Sequence, residues 1–399
     1  MRVLHLTRDL APRTTGGIST AVAGLVGAST RAGLGCAVLS FDGWRPRAGP
    51  RGGPLPVPTS GPHGATLRLS NPDQRGVIDG FVDQARPDVL HVHHEMLWPI
   101  AARLRQRCGV PALLTTHVLQ AEQNRLRGLT EATLSSTAQA RALAEADAIL
   151  APSQAALACL QAEVPERRDQ LWLAPLGVDD SAEARASVGA ERDRGPVLYA
   201  GRFSDLNGTG ELFAALPHIA ARAPERRFVI AGGVPENRKG ERRWRARWQR
   251  QLDAQPTGDA LSGAGDSGDS DGCAALRDRV ELPGWLDAAA LRAQYRRAAV
   301  LVIPSWFETF GLVALEGMLH GVPIVAARAG ALAERISHQH TGLLYPPRDL
   351  DQLVEAVVAL LRDPARAAQL GRNAAAAARS GSRWEDVIEA HLHVYRQVA

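Results

Sequence analysis

The stretch Pro304-Ser305-Trp306-Phe307-Glu308-Thr309-Phe310-Gly311-Leu312-Val313-Ala314-Leu315-Glu316-Gly317-Met318 decides how the chain is read. The apolar run that ends at Pro304 has the composition of a buried strand. A short loop follows. Leu312, Leu315 and Leu319 then recur at i, i+3 and i+7, which predicts a helix over Gly311–His320 with that stripe against a core. Glu308 falls in the loop. Glu316 borders the apolar stripe and is the only charged residue of the helix, a costly place for a carboxylate unless something pairs with it. The first N–H groups of a helix lack intrahelical partners and suit an anion such as phosphate, and Gly311 lets a ligand approach the backbone. Two carboxylates thus flank an anion site, and a carboxylate accepts hydrogen bonds from the vicinal hydroxyls of a sugar or ribose. Taken alone, the pair reads equally well as an exposed loop acid and a helix acid paired with an arginine.

Outward from this segment, short apolar runs alternate with helical patterns. Pro196–Ala200, Arg227–Ala231, Val280–Leu282, Val300–Pro304 and Val322–Ala326 read as strands, separated by helices over Gly210–Ala221, Asp287–Ala298 and Gly311–His320. An earlier series runs through Arg2–Thr7, Cys36–Phe41, Asp88–Val92, Ala112–Thr116, Ala148–Leu150 and Leu171–Ala174. Such alternation predicts an α/β protein of two doubly wound parallel sheets, with a ligand cleft between them at the C-terminal ends of the strands. The expected domains are 1–180 and 195–380, joined by a polar linker over Asp180–Gly195, with a last helix over 383–399 packing back on the first domain.

Residues 238–275 interrupt the second series. Arg238–Arg250 is basic, with Trp244 and Trp248 at i, i+4, and Gln255–Gly272 is rich in Gly, Ser and Asp. The segment reads as a solvated helix and a disordered loop, with a weak contact to an anionic membrane surface as the sharper alternative. Asp269-Ser-Asp271 has a metal-binding pattern but sits in low-complexity sequence, and is read as accidental. The Pro-, Gly- and Arg-rich loop Trp44–Gly64 receives no role.

Bulk properties exclude several classes. The chain has 399 residues, 45% of them hydrophobic, which suits two cores. It contains no run of 18 apolar residues, and its N-terminus is too short in apolar length for a signal peptide, so a cytoplasmic location is expected. Four cysteines share no metal or redox spacing. A net charge of +4 does not announce a nucleic-acid binder. His91, His93 and His94 cluster after a strand, but alternate faces there would let at most two share an ion, and no metal site is expected. Ser153 and Ser305 lack a triad context.

The segment Phe307–Gly317 resembles the Glu-x7-Glu motif of retaining glycosyltransferases with the GT-B fold, specifically glycosyltransferase family 4. Gly321-Val-Pro-Ile-Val-Ala, Gly330-Ala-Leu-Ala-Glu, Thr341-Gly-Leu-Leu-Tyr-Pro-Pro, Gly201-Arg202, Ala231-Gly232-Gly233, Gly16-Gly17, Asp88-Val-Leu-His-Val-His, Thr116-His117 and Gly177-Val-Asp179 resemble its other signatures. The resemblance implies that Glu308 holds the sugar hydroxyls and Glu316 the ribose. It implies that the N–H groups of Phe310, Gly311, Leu312 and Val313 meet the sugar and diphosphate, that Arg202 neutralises the leaving diphosphate, and that His117 lines the cleft near C6 of the sugar. Gly16, Gly17, Asn207 and Gly232 would complete the donor site. The donor would be a nucleoside-diphosphate sugar and the acceptor a small molecule or glycan, with no metal or cofactor. Separately, the high-GC bias of the composition, with arginine almost wholly replacing lysine, fits specialised-metabolite (antibiotic) synthesis.

One departure stands out. The family has Gly-Arg-x4-Lys-Gly where this chain has Gly201-Arg-Phe-Ser-Asp-Leu-Asn-Gly208, so Asn207 replaces the lysine. A cation missing beside a leaving diphosphate weakens transition-state stabilisation. Arg8, Arg13, Arg238 and Arg328 are candidates to replace it. The alternative is a subunit that binds a nucleotide sugar without transferring it.

Overall fold

Val300–Ile303 and Ala148–Ala151 are buried at every position, as central strands covered on both faces must be. The computed structural model describes residues 1–10, 16–42, 59–61, 64–69, 73–233, 238–253 and 272–399. They form two units, 1–179 with 380–399, and 180–379.

The first unit holds β1 (Arg2–Thr7), β2 (Gly35–Ser40), β3 (Thr59–Gly61), β4 (Gly64–Arg68), β5 (Val89–Val92), β6 (Ala112–Thr115), β7 (Ala148–Ala151) and β8 (Leu171–Leu173). Their order in the sheet is β3-β4-β2-β1-β5-β6-β7-β8, and only the β3–β4 edge pair is antiparallel. The winding reverses beside β1, so the tips of β1 and β5 mark the topological switch point, where ligands of open α/β sheets bind. The final helix, Trp384–Val398, belongs to this unit. Val178 N–H donates to the Ser382 carbonyl at 2.9 Å as the chain returns, and the Trp384 ring packs on Gly24.

The second unit holds β9 (Val197–Arg202), β10 (Phe228–Gly233), β11 (Val280–Gly284), β12 (Val300–Ile303), β13 (Ile324–Ala327) and β14 (Leu343–Tyr345), in the order β11-β10-β9-β12-β13-β14 and parallel throughout. Here the switch point lies between β9 and β12, so Arg202 and Pro304 leave the sheet side by side. The helix Leu350–Arg362 shows how one face is sealed. Asp349 accepts from Gln352 N–H at its start, and Leu353, Val354, Val357, Val358 and Leu361 form the buried stripe.

Two expectations change. The stretch Asp180–Gly195 is no bare linker. It belongs to the second unit, forms a helix over Ala182–Ser187 capped by Ser181, and sends the buried Arg192 to the carbonyls of Ser187 and His320. The basic segment is a helix, Arg238–Asp253, but its tryptophans do not face lipid. Trp248 is 5% exposed and lies 5.1 Å from the Phe213 ring, and Trp244 meets Phe203 and Phe213. The pair is the core stripe of an amphipathic helix, so the expected membrane contact through 238–250 loses its apolar face. Arg13, the Arg238 side chain, residues 44–58 and Asp269-Ser-Asp271 lie outside the described residues. Among the described residues, no helix is long and apolar enough to cross a membrane.

Candidate functional site

In the second unit, β9 ends in Gly201-Arg202, and the turn that follows is closed by its own side chains. Ser204 N–H donates to Thr209 Oγ1 at 3.1 Å, Asn207 N–H to Ser204 Oγ at 3.1 Å, and Tyr199 OH to the Arg202 carbonyl at 3.0 Å. Asn207 Nδ2 also donates to the Arg202 carbonyl, at 3.0 Å. The asparagine therefore shapes the turn from which Arg202 projects. Gly208, in the left-handed region at φ 67°, starts the helix Thr209–Arg222 with its bare Cα against the Pro304 carbonyl oxygen. Trp306 N–H donates to the Leu206 carbonyl at 2.8 Å, which ties this turn to the loop after β12. Gly232, at the end of β10, lies against the Gly201 carbonyl oxygen.

That second loop carries Glu308. Ser305 Oγ donates to Glu308 Oε1 at 2.8 Å, and Ala331 N–H donates to the Glu308 carbonyl at 2.8 Å. Burial raises the Glu308 pKa above the ordinary carboxyl range, and the Ser305 bond opposes the rise. Gly311 caps the helix Leu312–Leu319, so the first N–H groups of that helix, at Leu312 and Val313, start beside the two loops. One face turn further on, Glu316 Oε2 accepts from Tyr295 OH at 2.9 Å. Burial pushes its pKa up to about 7, with the Tyr295 hydrogen bond and the Arg292 charge pulling the other way. A half-buried carboxylate with a raised pKa is poised to gain from further hydrogen-bond donors, such as a pair of ribose hydroxyls.

The second unit thus brings Arg202, Asn207, Gly232, Glu308, Phe310–Val313 and Glu316 into one half-site at its switch point. His117, Gly16 and Gly17 lie in the first unit. Gly16 and Gly17 begin the helix Gly17–Arg31, and His117 follows β6, its Nε2 3.1 Å from His93 Nδ1. Arg8 is hydrogen-bonded to His94 at 3.1 Å in the first unit, and Arg328 is exposed after β13.

Two arginines not expected from the sequence sit on the half-site. Arg335 lies 3.9 Å from the Phe310 ring centroid, donates to the Phe310 carbonyl, and has its pKa lowered to about 10 by burial. Arg247, on the basic helix, meets Asp205 Oδ1 at 3.2 Å and packs its guanidinium on Gly210 in the first turn after Gly208. Both come from elements remote in sequence, so no local pattern could have flagged them.

Residues 15–182 match the family model described as Glycosyltransferase Family 4, and residues 194–363 match Glycosyl transferases group 1. A glycogen synthase of Mycobacterium tuberculosis is 31% identical over 324 residues, 78% of this chain and 69% of its own. D-inositol 3-phosphate glycosyltransferase 2 of Catenulispora acidiphila is 28% identical over 323 residues, 77% of this chain and 70% of its own. Among solved structures, sucrose-phosphate synthase from Thermosynechococcus elongatus superposes with a TM-score of 0.76 at 25% identity, covering 100% of this chain and 99% of that one. Anabaena HepE, solved in complex with UDP and glucose, has a TM-score of 0.71 at 18% identity over 100% of both chains, a likeness of fold.

Proposed function

From the premise that the chain belongs to glycosyltransferase family 4 and has the GT-B fold, we propose that it moves a sugar from a nucleoside-diphosphate sugar to a small-molecule or glycan acceptor, with retention at the anomeric carbon and without metal. The observation that carries this reading is the pair Glu308 and Glu316, held on either side of the Leu312 helix start and beside the Arg202 turn. Glu316 would accept from the ribose hydroxyls and Glu308 from the sugar. Arg202 and the N–H groups of Leu312 and Val313 would stabilise the diphosphate as the anomeric C–O bond breaks. The acceptor oxygen would attack on the same face, and the leaving diphosphate oxygen would take the acceptor's proton. No side chain need serve as base, and positioning supplies most of the rate.

Isothermal titration against a panel of nucleoside diphosphates and their sugars tests the donor half. One of them should bind to the wild-type chain and stabilise it by mass action. Transfer that persists in excess EDTA would support the metal-free mechanism, and loss of transfer restored by a divalent ion would refute it.

The second reading, a binding subunit without transferase activity, rests on Asn207. Arg247 bears on it, because it places a guanidinium on the same turn. Replacing Arg247 by alanine should weaken binding of the diphosphate about fivefold, roughly the worth of one exposed charge contact. Adding Asn207→Lys should restore it. Donor binding with no turnover on any acceptor, and no slow hydrolysis of the donor, would favour the subunit reading.

A further inference from the structure

Glu316 is held by one side chain. Tyr295, 1% exposed on the helix Ala288–Arg297, donates its hydroxyl to Glu316 Oε2 at 2.9 Å. Among the described residues Glu316 Oε1 takes no hydrogen bond, yet it is not sealed from solvent. An ionised carboxylate has about four acceptor positions, so Tyr295 fills one and leaves the rest for a ligand. Burial, helped by the Glu316 charge, raises the Tyr295 pKa well above its ordinary value, so the hydroxyl keeps its proton and remains a donor.

Tyr295 is itself clamped. Its ring centroid lies 5.5 Å from that of His320. Arg192 donates to the Tyr295 carbonyl at 3.5 Å and to the His320 carbonyl at 2.6 Å, and His320 Nδ1 meets Ser187 Oγ at 3.1 Å. One turn before Tyr295, Arg292 Nε donates to Glu183 Oε2 at 3.0 Å. The segment 183–192, expected from the sequence to be a linker, thus braces the helix that carries Tyr295. The charges near Glu316 do not replace the tyrosine. Arg292 lowers the Glu316 pKa from a distance but is hydrogen-bonded to Glu183, which Arg296 also approaches at 3.7 Å. Burial lowers His320 to a pKa of about 4, so its ring is neutral. From the other elements packed on the Glu316 helix, Arg335 donates to the Phe310 carbonyl and Arg379 to the Leu319 carbonyl.

We propose that Tyr295 is a positioning residue of the ribose site: its hydroxyl orients the Glu316 carboxylate and so sets the preference for a nucleotide with vicinal ribose hydroxyls. A hydrogen bond to the charged form also favours that form, so the tyrosine keeps more of Glu316 ionised and ready to accept. The inference rests on the function proposed above, in which Glu316 meets the ribose.

Tyr295→Phe keeps the ring beside His320 and removes only the donor. Calorimetric titrations of the full chain with UDP, ADP and GDP, each beside its 2′,3′-dideoxy counterpart, read the effect across neutral pH. The ratio of the two affinities cancels the titration of the diphosphate itself. In the wild type that ratio should favour the ribose form and climb as pH rises through about 7, where Glu316 ionises. In Tyr295→Phe it should fall about tenfold, the worth of one hydrogen bond to a charged group, and its climb should move up by about one pH unit. Affinity for the dideoxy nucleotide should not change, which also reports an intact fold. Added to Glu316→Ala, Tyr295→Phe should cost no further affinity, since it acts only through the acid. Additive losses, or a dideoxy nucleotide weakened as much as the ribose one, would mark a merely structural tyrosine and overturn the proposal. A ribose preference that Tyr295→Phe leaves unmoved also overturns it, while the proposed function stands. A wild type that binds both forms equally, or neither, refutes the ribose role of Glu316 and this inference with it.

Discussion

Glu316→Gln should make the protein more stable at pH 8 while crippling the proposed nucleotide site. The wild-type carboxyl has a folded-state pKa raised from about 4.5 to about 7. Below that window both folded and unfolded states hold the proton, and above it neither does. Inside it only the folded state holds it, so the folded state binds more protons and stability falls as pH rises from about 4.5 through 7. Glutamine removes this loss and can still accept from Tyr295 through its amide oxygen. Because Glu316 is partly exposed, the full shift is discounted, and a gain of about 1–2 kcal/mol, roughly 4 °C, is expected at pH 8. No gain is expected at pH 4. Affinity for the nucleoside diphosphate should fall on the order of 100-fold, since two hydrogen bonds to a charged acceptor are weakened. Urea titrations at pH 4, 6 and 8, with calorimetry of nucleotide binding, check both signs. Unchanged nucleotide affinity would remove Glu316 from the donor site.

The second large effect is structural. At Gly208→Ala, a side chain is asked to sit at φ 67°, in the left-handed region, with its Cβ against the Pro304 carbonyl oxygen. The conformational strain alone is about 1–2 kcal/mol. The contact cannot relax through a flexible side chain, because its partner is backbone and the same turn is fixed by the Trp306 to Leu206 hydrogen bond. A loss of about 3–4 kcal/mol, or roughly 10 °C, is expected, together with weakened nucleotide binding. Gly109→Ala is the control. It has the same φ of 67° but nothing within 4 Å of the added methyl, so only the strain applies. If the two variants lose equal stability, the close packing of the two loops is not what holds the half-site together.

The half-site was legible in part because its central acids belong to one strand, loop and helix. Periodicity placed Glu316 at the edge of the apolar stripe, and the loop length placed Glu308 beside the helix start. The chemistry that tunes them was not legible. Tyr295 and Ser305 carry no signal of their own, and burial alone raises Glu316 to about 7. Arg335 and Arg247 arrive from separate elements. The tryptophans of the basic helix show the limit from another side. Their spacing predicted an apolar face correctly, but only the packed structure shows Phe213 on it.

By itself, the sequence determined the alternation of strands and helices, the two parallel sheets, and the Glu308–Glu316 pair. These follow from periodicity and from contacts within a few turns of one chain segment. The tertiary structure decided what surrounds them: Asn207 turned onto the Arg202 carbonyl, a second arginine on that turn, and His5 stacked behind His93 across 88 residues. Such contacts depend on which strands lie side by side. Strand order is set by the packing of whole helices on the sheet, which no local pattern encodes.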